Sequence, residues 1–257
     1  MPEALKLSGV VLHTVDYGES DRVVALLTAE RGKVSAFARG ARASRRRFGG
    51  ALEPFTLVRA EARTRAGAEL LTLLSVDVER AFGGIRADLA RIACAGYASE
   101  LARELVRDHE PHPELLALLV RYLDRLDGGP ARPAALRAFE LGALSAAGFM
   151  PRLDACARCG GALAGDRLPF DAAQGGALCQ GCEPSASPGA ARLSARALRE
   201  ATRLQQGGLA AADAEPATGA VAGELRDALS RFIEHQLGRR LASRRFLDEV
   251  GPVLGGG

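Results

Sequence analysis

Four cysteines carry the clearest chemistry in this chain: Cys156-x2-Cys159, nineteen intervening residues, then Cys179-x2-Cys182. Each Cys-x2-Cys pair can form a knuckle that aims two thiolates at one point. The intervening arm lets the second knuckle complete a tetrahedron of sulfurs about 2.3 Å from a zinc ion. Gly160 and Gly161 follow the first pair and Gly181 lies inside the second, and a knuckle needs such residues where the backbone takes positive φ. The competing reading is two disulfides or four unrelated thiols. The opening run MPEALKLSGVVLHTV has no charged-then-apolar leader, and no stretch approaches the roughly 20 apolar residues of a membrane span. The expectation is therefore a cytoplasmic, reduced setting, which favours Zn2+ over disulfides. Four thiolates close the coordination sphere, so the expected zinc is structural and leaves no position for a substrate. Cys94 falls in a helical apolar pattern and reads as a core thiol.

The second chemical signal is charge. The whole chain carries 34 Lys+Arg against 31 Asp+Glu. Residues 31–65, however, hold ten basic residues against only Glu53 and Glu61. Lysine is almost absent (Lys6 and Lys33), and the Arg, Ala and Gly bias resembles that of a GC-rich bacterial genome. Concentration in one stretch is therefore more informative than the total, and it is the footprint of a polyanion partner. The candidate phosphate contacts are Lys33, Arg39, Arg42, Arg45, Arg46 and Arg47, with Arg59, Arg63 and Arg65 on a following strand. Phe37, Phe48 and Tyr17 are aromatic neighbours that either stack on bases or pack. Glu61, among the arginines of that strand, is positioned to orient one of them.

These residues need elements to hold them. The first 80 residues read as five short strands: Ser8–Val15, Arg22–Thr28, Lys33–Arg39, Phe55–Arg65 and Glu69–Val78. Five strands in about 75 residues fit a small closed barrel of the OB type better than a sandwich, with Arg39–Gly50 as a loop. From residue 85 the period becomes helical. Ile85, Leu89, Ile92, Ala93, Tyr97, Leu101 and Leu105 mark one face, Leu115–Leu126 a second helix, and Ala134–Ala147 a third. Helical pattern resumes after the cysteines, with Ser194 as a candidate N-cap and a last amphipathic helix from Val221 to Leu237. The expected fold is α+β and multi-domain. An OB-fold β-barrel spans 1–80, a mainly α-helical domain spans 81–151 and 192–250, and a four-cysteine zinc module at 152–191 is inserted into it.

Tyr17-Gly-Glu-Ser-Asp21, Gly32-Lys33, Gly40-Ala41-Arg42 and Arg47-Phe48-Gly49-Gly50 through Leu52-Glu53-Pro54-Phe55 resemble the N-terminal barrel of the bacterial recombination-mediator family RecO. Tyr97-Ala-Ser-Glu100-Leu, Glu110-Pro-His-Pro-Glu-Leu and Arg137-Ala-Phe-Glu140-Leu resemble its helical segment. Gly148-Phe-Met-Pro151-x-Leu153 and His235-Gln-Leu-Gly-Arg-Arg-Leu-Ala-Ser243 are similar to its later parts. The order and spacing of these motifs are specific; residues 183–220 resemble the family least. The resemblance implies a mediator of recombinational DNA repair that binds single- and double-stranded DNA. It further implies contacts with the C-terminal tail of single-stranded DNA-binding protein (SSB) and with RecR. The implied outcomes are annealing of complementary strands and, indirectly, loading of RecA. RecF stands as a further candidate partner, and the implied location is the cytoplasm, at the nucleoid during repair.

Enzyme chemistry finds little foothold. There is no Gly-x4-Gly-Lys-[Ser/Thr] loop, and His109-x2-His112 is interrupted by Pro111 and followed by Pro113, so it reads as a turn. Glu100 and Glu140 lie in helical motifs and read as buried or capping carboxylates. For the SSB tail, Arg121, Arg125, Arg132 and Arg137 are the arginines beside apolar residues. Arg239, Arg240, Arg244 and Arg245 either extend the DNA surface or complement a helix terminus. The expectation is a non-catalytic DNA-binding mediator. The alternative is a zinc-ribbon RNA-processing or modifying enzyme with an OB-fold RNA-binding appendage. A protein-binding adaptor is a third reading and would lack salt-dependent affinity for DNA.

Overall fold

The structure is a computed structural model that describes residues 4–64, 70–214 and 219–254. Five strands close a barrel in the order β1-β2-β3-β5-β4: β1 Ala4–Tyr17, β2 Asp21–Thr28, β3 Gly32–Ala38, β4 Leu57–Arg63 and β5 Leu71–Arg80. All pairings are antiparallel except β3 with β5. That is the OB arrangement expected from the alternation. Inward positions of every strand, among them Val11, Val24, Val34, Ala62 and Leu73, fill the barrel. β1 runs longer than Ser8–Val15 because a bulge between Val11 and His13 shifts its register and hides the alternation. Gly9 on β1 stands where a Cβ would lie 2.2 Å from the Leu27 carbonyl oxygen, so only glycine permits that close pairing. Phe55 lies outside β4, with φ +68 and its N–H donating to the Val11 carbonyl. The expected loop 39–50 contains a four-residue helix, α1 Arg45–Phe48, closed by Gly49 in the left-handed region.

Helices α2 Leu89–Leu105 and α3 Pro113–Gly128 belong to the same compact unit as the barrel, Met1–Pro130. Asp88 caps α2 by accepting from the Arg91 N–H, which leaves Leu89 56% exposed at the helix start and outside the apolar face expected for it. Cys94 is fully buried in that helix.

The second unit, Ala131–Gly257, comprises α4 Pro133–Ala146, strands β6 Arg167–Asp171, β7 Gly176–Ala177 and β8 Ala191–Ser194, α5 Ala195–Ala211, α6 Gly219–Leu237 and α7 Ser243–Leu254. The three strands form one sheet in the order β7-β6-β8. Phe170 of β6 packs against Phe232 of α6 with the rings tilted at 48° and their centroids 5.6 Å apart. The segment around the cysteines therefore shares its apolar core with the helices and does not depend on the cysteines alone. Ser194 caps α5 as expected, and that helix continues past Gly207 through a kink at Gly208. No described helix is long and apolar enough to cross a membrane.

Candidate nucleic-acid interface and metal centre

The basic loop is anchored at its C-terminal end by apolar residues that plug the barrel. Phe48, Ala51 and Leu52 are almost fully buried in the barrel core, and the Leu52 carbonyl accepts from Thr14 Oγ1 at 2.6 Å. Phe48 is thus a packing residue, and the base-stacking role does not fall to it. At the other end of the loop, Asp21 accepts from the Gly40 N–H at 2.7 Å, and the Arg42 N–H donates to the Ser20 carbonyl. Arg47 donates to the Arg39 carbonyl and to Ser44 Oγ, and its guanidinium lies 5.0 Å from the Phe48 ring centroid. Arg42 reaches the Glu19 carbonyl and stands 3.9 Å from Asp16. Arg22 bridges Asp16 and Glu53, both at 3.0 Å, and these carboxylates, Glu53 foremost, raise its pKa against the opposing effect of burial. Arg22, Arg42, Ser44, Gly50 and Glu53 contribute to the lining of an open cleft of about 520 Å³.

The structure thus brings Arg39, Arg42 and Arg47 into one loop at one end of the barrel. Arg45 and Arg46 lie on α1 between them, with side chains outside the described part, and Arg65 lies outside the described residues. Arg59 and Arg63 are exposed on the outer face of β4. The acid that engages Arg59 is Glu79 of β5, at 3.1 Å. Glu61 stands opposite Lys6 and Ser75 instead.

Lys33 behaves differently. Its ammonium donates to the Arg103 carbonyl at 2.9 Å and pairs with Asp108 at 3.2 Å, and its side chain is only 18% exposed. Its carbonyl accepts from the His109 N–H. Lys33 therefore ties β3 to the turn after α2, and the His109–Pro113 segment packs against it as a backbone strut. Gly32 shows how close that approach is: its φ is +62, and a Cβ would lie 1.8 Å from the Glu110 carbonyl oxygen.

The arginines near the C-terminus are largely engaged. Arg240 pairs with Glu234 and Asp248, Arg245 with Glu249, and the buried Arg244 with Asp248. Of the arginines considered for a peptide pocket, Arg121 and Arg125 lie in the first unit, Arg132 and Arg137 in the second. Arg137 is buried and holds Glu140 at 2.9 Å, so both are structural groups.

In the second unit the ligand atoms of Cys156, Cys159, Cys179 and Cys182 all lie within 4.8 Å of one another. None of the four is in a disulfide. The Cys159 and Cys179 sulfurs are 3.7 Å apart, close to the roughly 3.8 Å edge of a tetrahedron with 2.3 Å metal–sulfur bonds. The Gly161 N–H donates to Cys159 Sγ, and the Gly160 N–H closes the first knuckle onto the Cys156 carbonyl. Burial raises the Cys156 pKa, but N–H groups of Cys159, Cys179 and Arg158 outweigh it and hold the thiol at about 6. The neighbouring thiols, Cys159 first, push Cys182 up to about 12. One thiolate forms easily and the next resists ionisation, which is the situation a divalent cation relieves. The donor set fits a tetrahedral zinc ion, with no place left for a reacting molecule.

Family models described as Recombination protein O N terminal and Recombination protein O C terminal match residues 1–82 and 86–245. The chain is 68% identical to a DNA repair protein RecO of Anaeromyxobacter sp. (strain K), over 98% of this chain and 99% of the relative. It is 49% identical to the protein of that name from Myxococcus xanthus, over 94% and 96% of the two chains. It is 42% identical to that of Geobacter sulfurreducens, over 96% and 99%.

Proposed function

The chain belongs to the bacterial RecO family of DNA repair proteins, and from that premise we propose that it is a non-catalytic mediator acting on DNA strands. It binds single- and double-stranded DNA, anneals complementary strands and, with RecR, assists the loading of RecA onto SSB-coated single strands. The observation that carries this reading is the basic loop Arg39–Arg47 anchored by buried residues and hydrogen bonds at the end of a closed barrel. A preformed cationic ridge neutralises phosphates without reading base edges, so it accepts any sequence. Two complementary strands repel each other, and a surface that lowers the charge on both reduces the barrier to pairing.

In functional terms we divide the chain into 1–80 for DNA, 81–151 and 192–250 as helical segments that offer a groove to the SSB tail, and 152–191 for metal. Zinc on Cys156, Cys159, Cys179 and Cys182 would cross-link the two knuckles and take no part in strand chemistry. Lys33 is left out of the DNA set, because its ammonium is already used inside the first unit. The test is annealing of two complementary oligonucleotides, wild type beside an Arg39/Arg42/Arg47→Ala variant of unchanged melting temperature. Acceleration by the wild type and its loss in the variant support the proposal. Equal acceleration by both would remove the loop from the mechanism.

A further inference from the structure

The outer wall of the barrel carries a row of side chains that the core does not use. Val15 of β1, Val23 of β2, Phe37 of β3, Thr72 of β5 and Arg63 of β4 stand successively opposite one another in register. All five are turned away from the core, since their sequence neighbours Val24, Ala36, Ala38, Leu71, Leu73 and Ala62 fill it. Tyr17, two residues beyond Val15 on the same face, meets Phe37 edge-on, with ring centroids 5.7 Å apart and planes at 82°. An edge-to-face pair covers at most one face of the tyrosine ring. Tyr17 is 61% exposed and Val15 is 50% exposed, whereas the other two tyrosines, Tyr97 and Tyr122, are buried in helices.

What would cover this patch is indicated by the charges around it. Two strand spacings place Arg63 roughly 10 Å from Phe37 on one side. On the other side, Arg39 is exposed directly after β3, and Arg42 bonds to the Glu19 and Ser20 carbonyls in the turn that follows Tyr17. Of the acids near that turn, Asp16 is engaged by Arg22 and Arg42, Asp21 by the Gly40 N–H and Glu53 by Arg22, while Glu19 lies exposed in the turn itself. An aromatic surface between cationic side chains matches a chain of alternating phosphates and flat bases.

We propose that Tyr17, braced by Phe37, is a stacking platform for the bases of single-stranded nucleic acid whose phosphates lie along Arg39, Arg42 and Arg63. This rests on the DNA reading above and adds a contribution that phosphate contacts do not supply, a preference for unpaired bases over a duplex.

The chain contains no tryptophan, so Tyr17→Trp creates a single-tryptophan protein whose fluorescence reports this position alone. Oligothymidylate is expected to quench that fluorescence, and an abasic oligonucleotide of equal length is expected not to. Tyr17→Ala is expected to weaken oligothymidylate binding about 5- to 150-fold, the equivalent of ~1–3 kcal/mol for one stacked base. The salt slope and melting temperature should not change. Tyr17→Ala binding oligothymidylate as the wild type does would overturn the platform while leaving the cationic loop intact. So would equal quenching by the abasic chain. Failure of the wild type to bind oligothymidylate at all would overturn the platform and the DNA reading together.

Discussion

Replacing Lys33 by alanine separates two roles that the sequence alone cannot distinguish. As a phosphate contact, the residue would cost nothing in the free protein and would carry one unit of counterion release. As the internal tie described above, it contributes stability and no DNA affinity. The charged hydrogen bond to the Arg103 carbonyl at 2.9 Å is a partly buried one, of a kind worth about 1.5–3 kcal/mol. The ion pair with Asp108 adds little, since that carboxylate is 61% exposed and such pairs contribute ~0–1 kcal/mol. Lys33→Ala should therefore lose about 2–3 kcal/mol from the first unit. For a unit of this size that lowers the melting temperature by roughly 6–12 °C. Thermal unfolding followed by circular dichroism, beside a salt titration of oligonucleotide binding, reads both quantities. The salt slope should equal that of the wild type. An unchanged melting temperature with a slope flattened by ~0.7 would return Lys33 to the DNA surface.

Three further outcomes follow from the second unit. The purified protein should contain one zinc ion per chain by elemental analysis, and chelation or Cys156→Ser should destabilise the second unit while DNA affinity persists. With free zinc at a thousand times its dissociation constant, loss of the ion costs about 4 kcal/mol; normal melting with lost DNA affinity would contradict a purely structural ion. Glu140→Ala should cost about 3–5 kcal/mol because it strips the carboxylate from the buried Arg137. Replacing both by apolar residues of similar volume should recover most of that loss in the same unfolding assay. Asp171, although burial opposes ionisation, is held below the usual carboxylate range by the N–H groups of Ser187 and Ala173. Its folded-state pKa is depressed, so its contribution is full above the unfolded value near 4 and vanishes as pH falls through the folded one. Asp171→Asn should be less stable than wild type at neutral pH, and the gap should narrow as the pH falls below the ordinary carboxylate range and close once the depressed folded-state pKa is passed.

Much of this architecture is legible in the sequence because local periodicity decides it. The alternation of β4 and the β-branched run of β2 lead directly to the closed barrel, and the Cys-x2-Cys spacing leads to four sulfurs within 4.8 Å. What escapes is set by contacts distant along the chain. Nothing in Gly32-Lys33 announces Asp108 or Glu110 as neighbours. Similarly, the helical period begins near residue 85, whereas the contacts regroup at Pro130, because period reports a helix and not its packing partner. Strand β6 carries Pro169 in the middle of a five-residue span, and proline argues against a strand on sequence grounds. Its missing N–H is tolerated here, and its carbonyl still accepts from the Leu178 N–H. The Tyr17–Phe37 pair is invisible for the same reason as Lys33: the two rings meet only once β1, β2 and β3 are in register.

The most direct measurement of the DNA-binding role is a salt titration of binding to an unstructured oligonucleotide, wild type beside Arg45/Arg46/Arg47→Ala. About five phosphate contacts on a single strand correspond to a slope near −3.5 for the wild type, and removing three cations should flatten it by about 2. An identical slope in the two proteins, or binding that ignores salt altogether, would contradict the cationic loop as the surface that holds DNA.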